Sequence, residues 1–319
     1  MSLPSASPHA DRRSPVPPPR VEEVADRVFA HIQPDGGWCL SNSGILAGRR
    51  GTALVDSAAT EARARALRAA ALAHGPGEPR TVLTTHHHGD HTFGNAVAAP
   101  HATVIGHELA RTEMAERGEA LKLVWPDTDW GDLGGIERSL PTVTFTDRLT
   151  VYVDDLAVEL IHVGPAHTSN DVVVWLPEQR VLFAGDVLMP GCTPFVLMGS
   201  VLGALRAVRR IRALGPRVVV GGHGPVAGPE VLDETEAYLR WIGRVAADGV
   251  AAGVSPYEAA RETPLGPYAD LRDPERVVAN LHRAYSEVLG RPLDTQIRSA
   301  PVFAEMTRYN GGRPLTCLA

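Results

Sequence analysis

The chain has 319 residues, with 37 acidic against 31 basic side chains and three cysteines. That length holds one large domain or two small ones, with enough apolar residues to bury a core. The mildly negative charge, with no basic stripe, argues against nucleic acid as a partner. No apolar run is long enough for a bilayer, so no membrane association is expected. The N-terminus has no apolar signal core. Cys39, Cys192 and Cys317 are scattered and form no CxxC pair. They predict a reduced, cytoplasmic setting with cysteines as small packed side chains. A metal site here must use His and Asp.

Residues 1–20 are rich in Ser and Pro, with Pro17-Pro18-Pro19 in a row, and predict a disordered or extended tail. Structure is expected from about Val21. Gly44 to Gly48 and Thr52 to Asp56 read as paired strands about a Gly48-Arg49-Arg50-Gly51 turn. Thr60 to His74 reads as a helix stopped by Gly75-Pro76. Thr81 to Thr84 is a short buried strand, followed by Thr85-His86-His87-His88-Gly89-Asp90-His91. That turn concentrates imidazoles and a carboxylate beside a strand end, where α/β proteins tend to place ligand sites. Imidazole and carboxylate together suit a hydrolytic zinc or di-metal centre better than a soft thiolate site.

A strand from His101 and a helix over about 107–117 come next. Residues 118–140 look irregular and carry Trp125-Pro126 and Trp130, as a lid or pocket wall would. Strands resume at Val143 to Phe145, Leu149 to Val153, Val158 to Val163, Asp171 to Leu176 and Val181 to Asp186. Ser200 to Leu214 has helical apolar spacing, and Arg217 to Val220 is a strand. From about 229 the chain reads as a helical extension, over about 230–251, 256–262 and 274–289. The whole predicts one α/β domain over 21–319, two packed sheets flanked by helices.

His167, Asp186 and His223 each follow a β run in a Gly-rich turn. If these strands share an edge, seven ligand-type residues meet: His86, His88, Asp90, His91, His167, Asp186 and His223. Two divalent ions need about that number, three or four groups each with one shared, leaving positions open for water. A carboxylate is the natural shared group. Such a centre activates water against an ester, thioester, amide or lactone carbonyl. It can also acidify a carbon between two carbonyls.

His86-x-His88-x-Asp90-His91, then His167, Asp186 and His223 in that order, resembles the metallo-β-lactamase superfamily signature. The resemblance implies an αββα sandwich. It also implies one metal on His86, His88 and His167, a second on Asp90, His91 and His223, and Asp186 bridging. Asp56 matches a position that orients the metal loop from behind. Two Zn2+ are expected, and the donors also suit Fe or Mn. His31, His74, His87, His101, His107, His162 and His282 fall outside the ligand pattern.

A narrower set of motifs is similar to the actinomycete second-ring aromatic polyketide cyclases of the actinorhodin-pathway type. It comprises Gly36 to Asn42, Trp125-Pro126 with Asp129-Trp130-Gly131, Pro141 to Leu149, Thr193-Pro194-Phe195 and Tyr309 to Gly312. That resemblance implies a monocyclic substrate carried as a thioester on an acyl carrier protein. The enzyme would close the second ring by aldol condensation and dehydration, with thioester hydrolysis as a possible release step. Asp90 and Asp186 are the expected catalytic carboxylates. Trp38, Trp125, Trp130, Phe195 and Met198 are the expected pocket, and Arg206, Arg209 and Arg210 candidate carrier contacts. The alternatives are another di-zinc hydrolase, of hydroxyacylglutathione-thioesterase or lactonase type, or a non-catalytic binding protein on the same fold.

Overall fold

The computed structural model describes residues 17–34 and 36–319. Thirteen strands among them make two sheets. The first sheet runs in spatial order through β1 (Arg20–Ala25), β2 (Val28–Ile32), β3 (Ser43–Ala47), β4 (Thr52–Val55), β5 (Pro79–Leu83), β6 (Thr103–His107) and β7 (Val143–Phe145). Its first four strands pair antiparallel, and β4 to β7 pair parallel. The second contains β8 (Arg148–Val153), β9 (Leu156–His162), β10 (Val172–Leu176), β11 (Val181–Gly185), β12 (Val218–Gly221) and β13 (Val226–Ala227), in reverse spatial order. Within it only β11 and β12 pair parallel.

Alternation along each strand decides what faces what, because successive side chains point to opposite sides. Ala53 and Val55 point inward from β4, and Val172, Val174 and Leu176 inward from β10, making one core between the sheets with Leu83, Leu160 and Phe183. Leu54 points outward, beneath Ala64, Leu67 and Ala71 of α1 (Glu61–His74). Val173 and Trp175 point outward from β10 against the helices of the other face. Sheets apolar on both faces must be covered on both faces, and the result is an αββα sandwich. Each large side chain buried this way is worth about 1.5–3 kcal/mol.

The first helical layer also holds the short α2 (Gly89–Thr92), α3 (Asn95–Ala98) and α4 (Glu108–Arg117), and α5 (Ala120–Val124) follows, with Leu121 and Val124 packed on the apolar cluster of the other layer. The second holds α6 (Val201–Leu214), α7 (Val231–Ala252), α8 (Pro256–Glu262), α9 (Arg276–Val288) and α10 (Ser299–Tyr309). Local chemistry sets several ends. Thr60 caps α1 and Ser200 caps α6, each by a side-chain oxygen on a first-turn N–H, and α6 stops at left-handed Gly215.

The chain departs from the sequence expectation in four places. The extended tail falls mostly on residues outside those described, and Arg20 already belongs to β1, which no strand was expected to occupy. α5 and a 3-10 turn at Ile136–Ser139 interrupt the stretch expected to be irregular. β3 to β6 and β8 to β12 shift by one or two residues at their ends, while β7 falls where expected. α10 was not expected at all. Pro301 lies in its first turn, where a missing N–H leaves no hydrogen bond unmade.

Candidate metal centre

Five strand ends meet at one edge of the sandwich. β4 delivers Asp56, β5 delivers His86 to His91, the turn between β9 and β10 carries His167, β11 ends before Asp186, and β12 leads to His223. The seven expected residues fall into two adjoining clusters, His86, His88, His167 and Asp186, and Asp90, His91 and His223. Within each, the donor atoms lie within 4.8 Å of one another. Asp186 also reaches the second cluster: Oδ1 is 3.1 Å from His91 Nε2 and Oδ2 is 3.5 Å from His223 Nε2. Its Oδ2 lies 3.4 Å from His167 Nε2. This places one carboxylate between both groups.

Partners behind the ligands fix which nitrogen carries the lone pair. Asp56, at φ 57, accepts the Thr85 N–H at 2.7 Å and the Thr85 hydroxyl at 2.6 Å. That hydroxyl lies 3.0 Å from His86 Nδ1, so Nδ1–H donates to it and Nε2 is left bare. Asp56 Oδ2 is also 2.9 Å from His91 Nδ1, so Nδ1–H donates to it and Nε2 is turned toward the Asp186 carboxylate. One carboxylate therefore orients a histidine in each cluster. His167 Nδ1 donates to the Phe195 carbonyl. His88 Nε2 faces Met198 Sδ at 3.2 Å, and His88 Nδ1 sits 2.9 Å from His167 Nε2. His87 turns away, with Nδ1 3.0 Å from Asn170 Nδ2. Behind His167, Asp171 accepts the N–H groups of Ala166 and Thr168 and ties the turn shut.

Gly222 shows how tightly the backbone is drawn in. A Cβ there would lie 1.9 Å from Asp186 Oδ1, so no larger residue fits without moving that carboxylate.

The donor set fits divalent ions. The buried atoms His86 Nε2, His91 Nε2 and Asp186 Oδ1 have no hydrogen-bond partner, a costly state unless something positive satisfies them. Burial and neighbouring imidazoles push His86 and His88 well below the usual histidine range, so both are neutral ligands. Burial opposes charge on His223 too, yet the Asp186 and Asp90 carboxylates lift it to about 9. His91 is held high by the same carboxylates against its burial. Burial disfavours ionised Asp90, but His91 and His223 hold it down to about 2. The site thus draws positive charge, and nitrogen and oxygen donors without thiolate suit zinc, iron or manganese.

A cavity of about 190 Å³ opens over these residues, with Asp90, Asp186 and His223 in its floor. Trp38, Trp125, Phe195 and Met198 line it. Trp130 does not: it packs edge-on against Phe93, ring centroids 5.8 Å apart, and belongs to the loop that seats α1. Five other lining residues, Arg276, Gln296, Ile297, Ser299 and Phe303, carry no motif that would have announced them. Trp38 is clamped, its indole N–H donating to Glu275 at 2.8 Å and its ring lying 4.1 Å beneath the Arg276 guanidinium. Arg206, Arg209 and Arg210 are exposed on α6.

Residues 36–223 match the metallo-beta-lactamase superfamily. The chain belongs to that superfamily. All seven clustered residues lie within this span, whereas α7 to α10 follow it. The metallo-beta-lactamase type 2 of Bacteroides fragilis is 25% identical over 229 residues, 68% of this chain and 83% of that enzyme. The alpha subunit of 2,4-dinitroanisole O-demethylase from Nocardioides sp. (strain JS1661) is 30% identical over 176 residues, 54% of this chain but only 45% of the subunit. A hydroxyacylglutathione hydrolase of Rhizobium meliloti (strain 1021) is 36% identical over 114 residues, 35% of each chain. Among solved structures, a metallo-beta-lactamase from Pontibacter korlensis superposes with a TM-score of 0.58 at 23% identity, covering 70% of this chain and 99% of that one. Membership brings a hydrolase-type function and a centre able to hold two metal ions, typically zinc. Among the described residues, no helix is long and apolar enough to cross a membrane.

Proposed function

We propose that this superfamily member is a second-ring cyclase acting on a monocyclic aromatic polyketide thioester borne by an acyl carrier protein. The observation that supports it best is the cavity wall. The floor is polar and charged, while the sides are Trp38, Trp125, Phe195, Met198 and Phe303. Flat apolar walls over a few convergent polar groups suit a planar aromatic ligand. About 190 Å³ is small for a complete ligand pocket, so it would hold the reacting end of a longer substrate. The cavity lies beside exposed Arg117, Ala120 and Gln296, a direction in which a carrier-bound tail can leave.

His86, His88, His167 and Asp186 would hold one ion and Asp90, His91 and His223 the other, with Asp186 shared. Bound divalent ions supply Lewis acidity toward carbonyl oxygens and lower the pKa of water. The protein's part is positioning and proton movement. The aromatic walls hold the first ring and keep water from the reacting chain. Asp90, ionised and facing the cavity, takes the proton from a carbon flanked by two carbonyls. That carbon bonds to a ketone carbon further along the same chain. That bond closes the second ring, and the ketone oxygen takes the proton to become a hydroxyl; the attacking carbon then gives up its second hydrogen as a proton, the C–O bond breaks, and the departing hydroxide joins that proton as water. The same floor serves thioester hydrolysis.

Simple thioester hydrolysis is the second reading, favoured by the Rhizobium hydrolase match. Mass spectrometry of a monocyclic poly-β-ketone thioester incubated with zinc-loaded protein separates them. Cyclisation removes one water from the acyl chain, and an Asp186→Ala variant does not. A free acid of unchanged acyl composition supports hydrolysis alone and removes the cyclase reading.

A further inference from the structure

His87 stands between two ligands of the metal loop and belongs to neither cluster. Its backbone N–H donates to Asn170 Oδ1 at 3.1 Å, and its Nδ1 lies 3.0 Å from Asn170 Nδ2. These two contacts decide the tautomer of the ring. A backbone N–H can only donate, so the atom of Asn170 facing it is the oxygen, and the NH2 group faces the ring. An NH2 group also only donates, so Nδ1 accepts and the proton of the neutral ring sits on Nε2. An imidazolium would set two donors against each other. Asn170 is itself fixed. It is fully buried, its Nδ2 also reaches Ser169 Oγ at 3.2 Å, and its N–H donates to the Thr168 hydroxyl at 3.2 Å, in the turn that carries His167.

The other edge of the ring has no such partner. Among the described residues no protein group meets His87 Nε2, and the half-buried side chain lines the metal cavity. Nε2 of His107, His162 and His282, by contrast, each ends on a protein oxygen, at 2.6, 3.2 and 2.6 Å. We infer that His87 is a substrate-binding donor, whose Nε2–H holds a carbonyl oxygen of the acyl thioester beside the metal ligands.

The surroundings give that donor its use. Asp90 and Asp186 in the floor are carboxylates and accept only, so a substrate oxygen near them needs a donor. Arg117 at the mouth is already engaged, with Glu113 at 3.5 Å and Gln296 at 3.1 Å. A neutral N–H suits an uncharged carbonyl, and its aim is set in advance by Asn170, so little ordering is left for the moment of binding. His87 moves no proton; it places an oxygen. The assignment rests on the reading that the cavity receives a carbonyl substrate, which cyclisation and thioester hydrolysis share.

The test uses the zinc-loaded full chain. Nitrogen NMR of isotope-labelled histidine should show the His87 ring with a protonated Nε2 and a bare Nδ1. Adding the monocyclic poly-β-ketone thioester should shift that Nε2–H signal. His87→Leu should raise KM for the thioester roughly 2- to 10-fold, with a smaller effect on kcat, as loss of one neutral hydrogen bond does. His87→Gln, which keeps a side-chain N–H, should recover most of that loss, and both variants should bind as much zinc as the wild type. KM can be read from either product, so a failed cyclase reading shows as a free acid of unchanged acyl composition and leaves this comparison intact. Where neither product forms, the signal shift alone decides. A protonated Nδ1, an Nε2–H signal unmoved by the thioester, or equal KM in His87→Leu and His87→Gln overturns the inference.

Discussion

Asp56 is the residue on which the ligand geometry turns. It touches His91 directly and His86 through the Thr85 hydroxyl, so it biases a tautomer in each cluster. Asp56→Asn keeps the shape but replaces one carboxylate oxygen with an NH2 group that cannot accept. Metal affinity should fall roughly 10- to 100-fold, measured by competition with a chelating dye; unchanged affinity would remove Asp56 from this role. His31 gives a separate pH signature at the same scale. Burial, helped by the Arg63 charge, lowers its pKa to about 4. An unfolded histidine takes its proton near 6.5, so between about 6.5 and 4 the unfolded state binds more protons. Stability is then unaffected above about 6.5 and falls as pH drops toward 4, by at most about 1.4 kcal/mol per pH unit from this group. Urea unfolding at pH 7.5 and 5.5 should show wild type losing about 1 kcal/mol more than His31→Asn. Equal losses would mean that His31 takes up its proton in the folded state as readily as in the unfolded one.

At the scale of elements, the helices after residue 223 reach back into the centre. Asn280 of α9 donates to the Pro194 carbonyl at 2.7 Å and accepts the Val196 N–H at 2.9 Å. Those bonds hold the turn whose Phe195 carbonyl orients His167. α10 contributes Phe303, 6.1 Å from Trp38 and 6.3 Å from Phe195 between ring centroids. Phe303→Ala should raise KM for a large aromatic thioester several-fold while leaving kcat for a small acyl thioester near wild type. Equal effects on both substrates would mean that Phe303 only packs the fold.

Across the whole molecule, the sandwich was legible because strand alternation and β-branched runs are local signals. The two clusters were legible for a related reason. Each ligand follows a β run in a short turn, so the topology that gathers strand ends gathers the ligands. The cavity was not legible in the same way. Trp125 and Trp130 are five residues apart, yet one faces the cavity and the other packs on Phe93, since loop direction is set by tertiary contacts. Arg276 and Phe303 lie far along the chain from the ligands and carry no motif. Metal should stabilise the assembled state in proportion to its binding, by about 2.7 kcal/mol when free metal is 100-fold above Kd. Chelation should lower Tm accordingly, and an unchanged Tm would disconnect the clusters from metal.

Metal content per chain tests the central claim most directly. Purified protein loaded with zinc, dialysed and assayed by inductively coupled plasma mass spectrometry should hold two equivalents, and Asp186→Ala, which removes the shared carboxylate, should hold fewer. One equivalent or less in the wild type, or the same content in both proteins, would contradict a two-metal centre bridged by Asp186.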